Sequence, residues 1–422
     1  MDTEAAAIRA FGEAFDGDPT AVASAPGRVN VVGGHTDHQD GFVLPVAIDR
    51  RTAVACRPRT GDRTGRAYAT AFDETVGFDL DDLAAGDPRW ADYVKGVLAE
   101  LDGTVAGGAG ATADAAGDLA AGTTGDPAPG PPRDRPGTLP GLDLAIAGDV
   151  PLGAGLSSSA SLELAVAGAV DAAVGLDADR EALALAAWRA ENGFVGLSCG
   201  VMDQFAAAFG DPSGALFLDC RSREREVIPF DPGAARLVVV DTGVSHALSG
   251  EASGYNDRVA DCRRAAGTLD GLLDREVTAL RDVTPADLDD HADALDPTVL
   301  RRARHVVSEN RRVQEAAGAL RAGDYDRLGE LVSASHEGYR TEFEVSFAEA
   351  DGLVDLAREH PGAYGARLTG GGFGGSVLVL ARAAEAPAVA ADLARDYEAE
   401  TGIEPTIYEC APDEGLRTNA PD

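Results

Sequence analysis

Four short segments of the 422-residue chain gather groups suited to handling an anion and a polyol. In P-L-G-A-G-L-S-S-S-A-S-L-E, Pro151–Glu163, glycines and serines lie between a strand-like run and a strongly periodic helix. Gly153, Gly155, Ser157, Ser158 and Ser159 thus offer backbone N–H groups, a helix N-terminus and hydroxyls, which is what a triphosphate requires. The same spacing also fits a serine-rich N-cap on a core helix. A Walker loop is excluded: no G-K-[ST] occurs, and the one lysine, Lys95, lies in V-K-G. The segment Pro26–Asp49 sets Arg28, His35, Asp37, His38 and Asp40 within thirteen residues. A metal held by His35, Asp37 and His38 is one reading, but Cys or His partners nearby are lacking. Turns at Gly33, Gly34 and Gly41 suit hydrogen bonding to a polyol better. In Glu191–Phe205, Asp203 interrupts an apolar run, either as a capping carboxylate or as a buried anion that needs a cation. Gly370, Gly372 and Gly375 satisfy G-x-G-x-x-G, yet they precede the strand-like S-V-L-V-L instead of opening a helix. That excludes a dinucleotide fold and suits a tight turn whose backbone approaches a ligand or another segment.

Short apolar runs alternate with helical patterns, as in a mixed α/β chain. Strands are expected at Arg51–Arg57, Leu142–Ala147, Leu237–Asp241 and Ser376–Ala381, and helices at Thr3–Phe15, Ala160–Val174 and Arg180–Asn192. Leu162, Ala165, Val166, Ala169 and Val170 form one apolar stripe on the second helix. Residues 103–137 contain no aromatic and almost no large aliphatic side chain, so they read as a flexible surface insertion. The flanking segments look like parts of one domain.

Charge narrows the function classes. With 36 Lys+Arg against 71 Asp+Glu, the net charge is −35, and a polyanion such as a nucleic acid would be repelled. Five widely spaced cysteines, Cys56, Cys199, Cys220, Cys262 and Cys410, fit a reducing compartment better than a disulfide framework. The first residues lack a basic region followed by a long apolar one, and no uncharged apolar run approaches ~18 residues. A cytoplasmic protein with no membrane partner is expected.

Taken together, these segments resemble the galactokinases of the GHMP small-molecule kinase superfamily. Further agreement comes from R-W-A-D-Y-V-K-G-V at Arg89–Val97, C-G-V-M-D-Q-F at Cys199–Phe205 and S-G-Y-N-D-R at Ser253–Arg258. The resemblance runs in family order from about residue 8 to residue 410, the insertion excepted. It implies an α+β GHMP kinase fold, with an N-terminal domain like domain 2 of ribosomal protein S5 over residues 1–215 and a ferredoxin-like domain over 216–422. It implies an ATP- and Mg²⁺-dependent kinase for the anomeric hydroxyl of galactose, working as a monomer on small molecules. By position, Asp203 matches the catalytic aspartate and Arg28 its paired arginine. His35, Asp37, Gly200 and Tyr255 match sugar-binding positions, and Trp90 and Tyr93 the residues around adenine. Ser159 and Glu191 match the magnesium ligands. Where the family reads G-E-H-T-D, this chain has Gly34, so a contact to the sugar's 6-hydroxyl is lost, and galacturonate or arabinose become alternative substrates. A C6 carboxylate would no longer be repelled there and could sit on the glycine N–H groups, while galactose still ranks first. Ser376 stands where cysteine is usual. A non-catalytic sugar sensor on the same fold is the competing class, although Arg28, Asp203, Glu191 and the serine loop are all retained.

A surface so acidic, with a single lysine, also resembles that of a salt-adapted protein: carboxylates hold hydration, and salt relieves their mutual repulsion. At 1 M salt the screening length is only ~3 Å. The melting temperature should therefore rise steeply between about 0.1 M and about 2 M KCl; a flat response would assign the composition to codon bias.

Overall fold

The computed structural model describes residues 2–105, 139–244 and 248–420. Helix α1 (Thr3–Phe15) starts where the Asp2 side chain accepts the Ala5 N–H. Its Ala7, Ala10, Phe11 and Phe15 pack on Ala53, Ala55, Ala145 and Ala147, whose small side chains let helix and sheet approach closely. That first sheet is built from β1 (Ala21–Val32), β2 (Phe42–Pro58), β3 (Thr64–Ala69), β4 (Glu74–Asp79), β5 (Leu142–Gly148), β6 (Gly214–Asp219), β7 (Arg225–Pro229) and a last strand, β12 (Arg417–Asn419). Strand order is β12-β1-β2-β5-β3-β4, with the β6–β7 hairpin joined to β2. Among the described residues, only β3 and β5 run parallel.

Strand β2 spans 17 residues rather than the short run Arg51–Arg57. The charged triplet Asp49–Arg51 breaks its apolar pattern, but β2 continues through it because the two ends have different partners. Thr52–Pro58 pair with β5, while Phe42 and Val43 pair with β6. Arg51 is itself buried and donates to the carbonyls of Ser24, Glu414 and Gly415 and to Asp413, which fastens the chain's C-terminal segment to this sheet. Both that return and the β6–β7 hairpin carry the first sheet beyond the boundary expected at residue 215.

Above the sheet lie α2 (Trp90–Val105), α3 (Ser158–Val174), α4 (Arg180–Arg189) and α5 (Met202–Phe209). Helix α2 runs to Val105, three residues into the segment read as an insertion; the rest of that segment lies outside the described residues. Helix α3 is buried almost all round and not along one stripe, because it sits between the sheet and α2, α4 and α5. Its buried residues include a carboxylate, Glu163. Helix α4 stops at Arg189 and passes into a π-helical turn, Ala190–Val195, which ends at Gly196 with φ 86°.

The second sheet has the antiparallel order β11-β8-β10-β9, from β8 (Ala235–Asp241), β9 (Ala363–Leu368), β10 (Ser376–Arg382) and β11 (Thr406–Cys410). With α6 (Leu248–Asp270), α7 (Pro297–Ala322), α8 (Tyr325–Gly338) and α9 (Ala348–Glu359) between β8 and β9, and α10 (Ala386–Thr401) between β10 and β11, this is the ferredoxin-like βαββαβ order. Alternation decides the packing. Val238, Val240, Val377 and Val379 face a core shared with α6, α7, α9 and α10. Leu237, Val239, Leu378 and Leu380 face one shared with Val29, Val31, Leu44 and Val46 of the first sheet. The two layers are thus joined by a common apolar core beneath β1, the strand that carries Arg28. Among the described residues, no helix is long and apolar enough to cross a membrane.

Candidate active site

Arg28 leaves β1 next to a register shift in its pairing with β2 and meets Asp203 at the start of α5. The pair is bidentate: Nε donates to Oδ1 and Nη2 to Oδ2, each at 2.7 Å. Arg28 is 4% exposed and Asp203 24%, so the cation is locked in while the carboxylate keeps one open side. The third nitrogen of the fork, Nη1, donates to the Gly155 carbonyl at 2.7 Å. Ser157 completes the arrangement: its hydroxyl donates to Asp203 Oδ2 at 2.5 Å. Ser157 occupies the N-cap position of α3, but in the left-handed conformation (φ 57°) and with no capping bond. The N-cap reading of the serine run therefore fails at this residue. The side chain has been turned to the aspartate, and the first N–H groups of α3 are left without a side-chain cap.

The loop before α3 is shaped by Gly153 and Gly155, both at φ 73°. The turn between β9 and β10 lies directly behind it. A side chain at Gly155 would strike the Thr369 carbonyl at 2.9 Å, and one at Gly370 the Gly155 carbonyl at the same distance. The Ser376 hydroxyl donates to the Ala154 carbonyl at 2.7 Å, so serine in place of cysteine becomes a tie between the loops. The second glycine cluster thus approaches another chain segment, and that segment is the phosphate-type loop.

Beyond Asp203 lies a group of buried acids. Ser159 lies close enough to Glu191 for its hydroxyl to hold that carboxyl down, which brings the two expected metal ligands together. The Gln204 amide bridges Glu191, at 2.6 Å, and Glu163, at 3.1 Å. Burial and the Asp203 charge raise the Glu191 carboxyl, while burial and Glu191 raise Glu163. Among the described residues, Glu163 Oε1 and Gln204 Oε1 are buried without a hydrogen-bond partner. Of the acids Glu163, Glu191 and Asp203, Asp203 alone is paired with a guanidinium among the described residues, a charge balance that fits a divalent cation brought with a nucleotide. Among the described residues, no three His, Cys, Asp or Glu side chains gather to hold a metal unaided, and the trio His35, Asp37 and His38 does not do so. Tyr93 of α2 adjoins Glu191, whose charge, after burial, raises the phenol. Trp90 stands one turn earlier, its indole N–H on Glu74 at 2.9 Å and its ring stacked on Phe72 at 6.0 Å.

On the opposite side of Asp203, Asp37 packs where a side chain at Gly200 would need to be: its backbone carbon, Cβ and Cγ lie 2.4–2.6 Å from that Cβ position. Burial, then the Asp203 charge, pushes the Asp37 carboxyl up to about 7. His35 has φ 62°, and its Nε2 meets the Gly371 carbonyl at 2.9 Å. Its ring lies 4.9 Å from Tyr255 and 4.5 Å from Phe343, and burial lowers its basicity well below the usual range. His35 Nδ1 is buried with no partner. Arg28, Asp37, Asp203, Gly200, His35 and Tyr255 are therefore one cluster, whereas Trp90 stands apart against Phe72 and Glu74.

The glycine N–H groups at 33 and 34 are not open to a ligand carboxylate, which removes one of the options that the sequence left at position 34. Gly33 donates to Glu309 Oε1 at 2.8 Å and Gly34 at 3.3 Å. Glu309 projects from α7, fully buried; burial would raise its carboxyl, but Arg312 and Arg367 outweigh it and bring it down to about 2. Nothing in the spacing singles out Glu309, Glu163, Gln204 or Tyr339. The nearest signal is a carboxylate inside an otherwise apolar helix, as Glu163 is in α3.

Residues 9–58 match the galactokinase galactose-binding signature, 130–211 the GHMP kinase N-terminal domain and 316–399 the GHMP kinase C-terminal domain. The galactokinase of Chloroflexus aggregans is 44% identical over 394 residues, covering 93% of this chain and 92% of that one. That of a Roseiflexus species is 40% identical, covering 94% and 93%. The crystal structure of Lactococcus lactis galactokinase complexed with galactose superposes with a TM-score of 0.85 at 31% identity, over 98% of this chain and 99% of that one. Methanococcus jannaschii mevalonate kinase, at 15% identity and a TM-score of 0.60, shares the fold. With the paired loops, the Arg28–Asp203 fork and this likeness along the whole chain, the protein belongs to the galactokinase family of GHMP kinases.

Proposed function

We propose that the chain transfers the γ-phosphoryl group of ATP to the anomeric hydroxyl of D-galactose, giving galactose 1-phosphate and ADP. One observation carries this reading. The bidentate Arg28–Asp203 pair stands between an uncapped helix N-terminus on one side and the His35–Asp37–Tyr255 cluster on the other. An acceptor hydroxyl held by the second group meets phosphate held by the first.

The triphosphate lies along Gly153–Ser159, on the N–H groups and dipole of α3. Ser159 and Glu191 would hold Mg²⁺, which when bound neutralises charge on the β- and γ-phosphates. Trp90 and Tyr93 flank the adenine. Asp37, His35, Gly200 and Tyr255 hold the sugar, with Tyr255 toward the 4-hydroxyl and position 34 toward C6. As the anomeric oxygen bonds to the γ-phosphorus and the bond to the ADP oxygen breaks, the hydroxyl proton passes to the open side of Asp203. Arg28, fixed by Gly155, places Asp203 and offsets the charge that develops. With their N–H groups already given to Glu309, Gly33 and Gly34 offer no donor to a C6 carboxylate, which ranks galactose above galacturonate.

A coupled ADP-release assay in about 2 M KCl tests this directly. Galactose should turn over with a kcat/KM above those of galacturonate and arabinose. Asp203→Ala should abolish turnover while leaving galactose binding within about fivefold. Binding of sugar and ATP without turnover of any galacto-configured sugar would favour the sensor. A tenfold lead of another sugar would reassign the substrate.

Asp37 adds a pH dependence. Its raised value means that the empty site keeps the carboxyl protonated below about 7 and ionised above. If the anion accepts sugar hydroxyl protons, galactose affinity without nucleotide should weaken as pH falls through about 7, approaching tenfold per unit. Calorimetric titration from pH 8.5 to about 5.5 should show this for the wild type but not for Asp37→Asn; a flat wild-type profile would remove the anion from sugar binding.

A further inference from the structure

Position 34 is closed from three directions. Its N–H points to Glu309 and its carbonyl meets His305 Nε2 at 3.1 Å. A Cβ there would fall 1.9 Å from Tyr339 Oη and 2.4 Å from Cζ. The backbone at 34 is not left-handed, so glycine is required here by lack of space and not by conformation. Tyr339 has no room to retreat. It begins a π-helical turn, Tyr339–Phe343, that swings two aromatic rings toward His35. It is fully buried, and its hydroxyl donates to the Gly370 carbonyl at 2.9 Å. The Arg367 guanidinium stands over its ring at 4.7 Å, and His305 lies 5.5 Å away.

We propose that Tyr339 is a specificity-determining residue, whose phenol takes the space that any side chain at position 34 would need and so deprives the sugar of a recognition group there. Gly34 and Tyr339 form one unit: the loop bearing His35 and the glycine turn at 370–372 close around the phenol. The sugar meets only shape at this end, and discrimination falls on His35, Asp37 and Tyr255. This rests on the reading above that these residues hold a hexose with C6 toward position 34.

Two measurements on the full chain test it: melting temperature, and the ratio of kcat/KM for galactose to that for 6-deoxygalactose. In the wild type the ratio should stay within about fivefold, since no side chain at position 34 reads the 6-hydroxyl. Gly34→Glu and Gly34→Ala should each lower the melting temperature and weaken galactose binding by about tenfold or more. Tyr339→Leu, but not Tyr339→Phe, should rescue Gly34→Ala, because the phenylalanine ring still occupies the space. In Gly34→Glu/Tyr339→Leu the ratio should rise above about tenfold, as a carboxylate now addresses the 6-hydroxyl. Gly34→Glu with a wild-type melting temperature, or no rescue by Tyr339→Leu, would overturn the pairing. A high wild-type ratio, or one unchanged in the double variant, would overturn the role in specificity. Failure of the wild type to turn over either sugar would instead overturn the substrate reading, and the stability rescue still decides the pairing.

Discussion

The Arg28–Asp203 fork is the constraint around which this molecule is arranged. Three of its bonds come from one guanidinium, and they join β1, α5 and the Gly155 turn, segments separated by up to 175 residues. A buried guanidinium is tolerated only where its donors are met with good geometry, and removing one partner of such a pair costs about 3–5 kcal/mol. The requirement fixes more than the pair. Gly155 must turn its carbonyl inward, which needs the left-handed backbone at 153 and 155. The β9–β10 turn must then be glycine-built to lie against it.

Charge is balanced differently on the two flanks of the fork. Around the His35 cluster the buried carboxylate of Glu309 is matched in charge by Arg312 and Arg367 and held low without a ligand, although among the described residues Arg367 Nη2 and His305 Nδ1 have no hydrogen-bond partner. On the nucleotide flank, Glu163 and Glu191 share one amide donor from Gln204 and are pushed up by burial. A charge-matched group defines the shape of a loop; the unmatched pair fits the cation proposed above. Lys95, which sequence alone sets in a kinase-like motif, belongs to neither: it is buried against Asp92 and serves the packing of α2.

Local pattern made much of this legible. Helix Thr3–Phe15 follows from an N-cap aspartate and an apolar stripe, and both its ends were readable. The strands at Leu142 and Ser376 follow from short apolar runs bounded by glycine or aspartate. The motif residues on both flanks were legible as a set because the motifs follow in family order, whereas each alone also fits a cap or a turn. What sequence hid is tertiary in origin. Strand β2 looked short because its charged middle, Asp49–Arg51, is explained only by the C-terminal segment that Arg51 holds. Gly34 read as a vacancy, whereas Tyr339, three hundred residues later in the chain, fills the space. A serine-rich cap stayed open beside the phosphate-loop reading of Ser157–Ser159 because the partner of Ser157, Asp203, lies in another helix.

The central claim is that Arg28 and Asp203 act as one unit in phosphoryl transfer. The most direct measurement is a double-mutant cycle on galactose kcat/KM with Arg28→Met, Asp203→Asn and the double variant, with folding checked at about 2 M KCl. If the pair is one unit, each single substitution removes at least about a thousandfold, and the double variant falls within about tenfold of the worse single. Losses that multiply in the double variant would mean that the two residues act independently and would contradict this account.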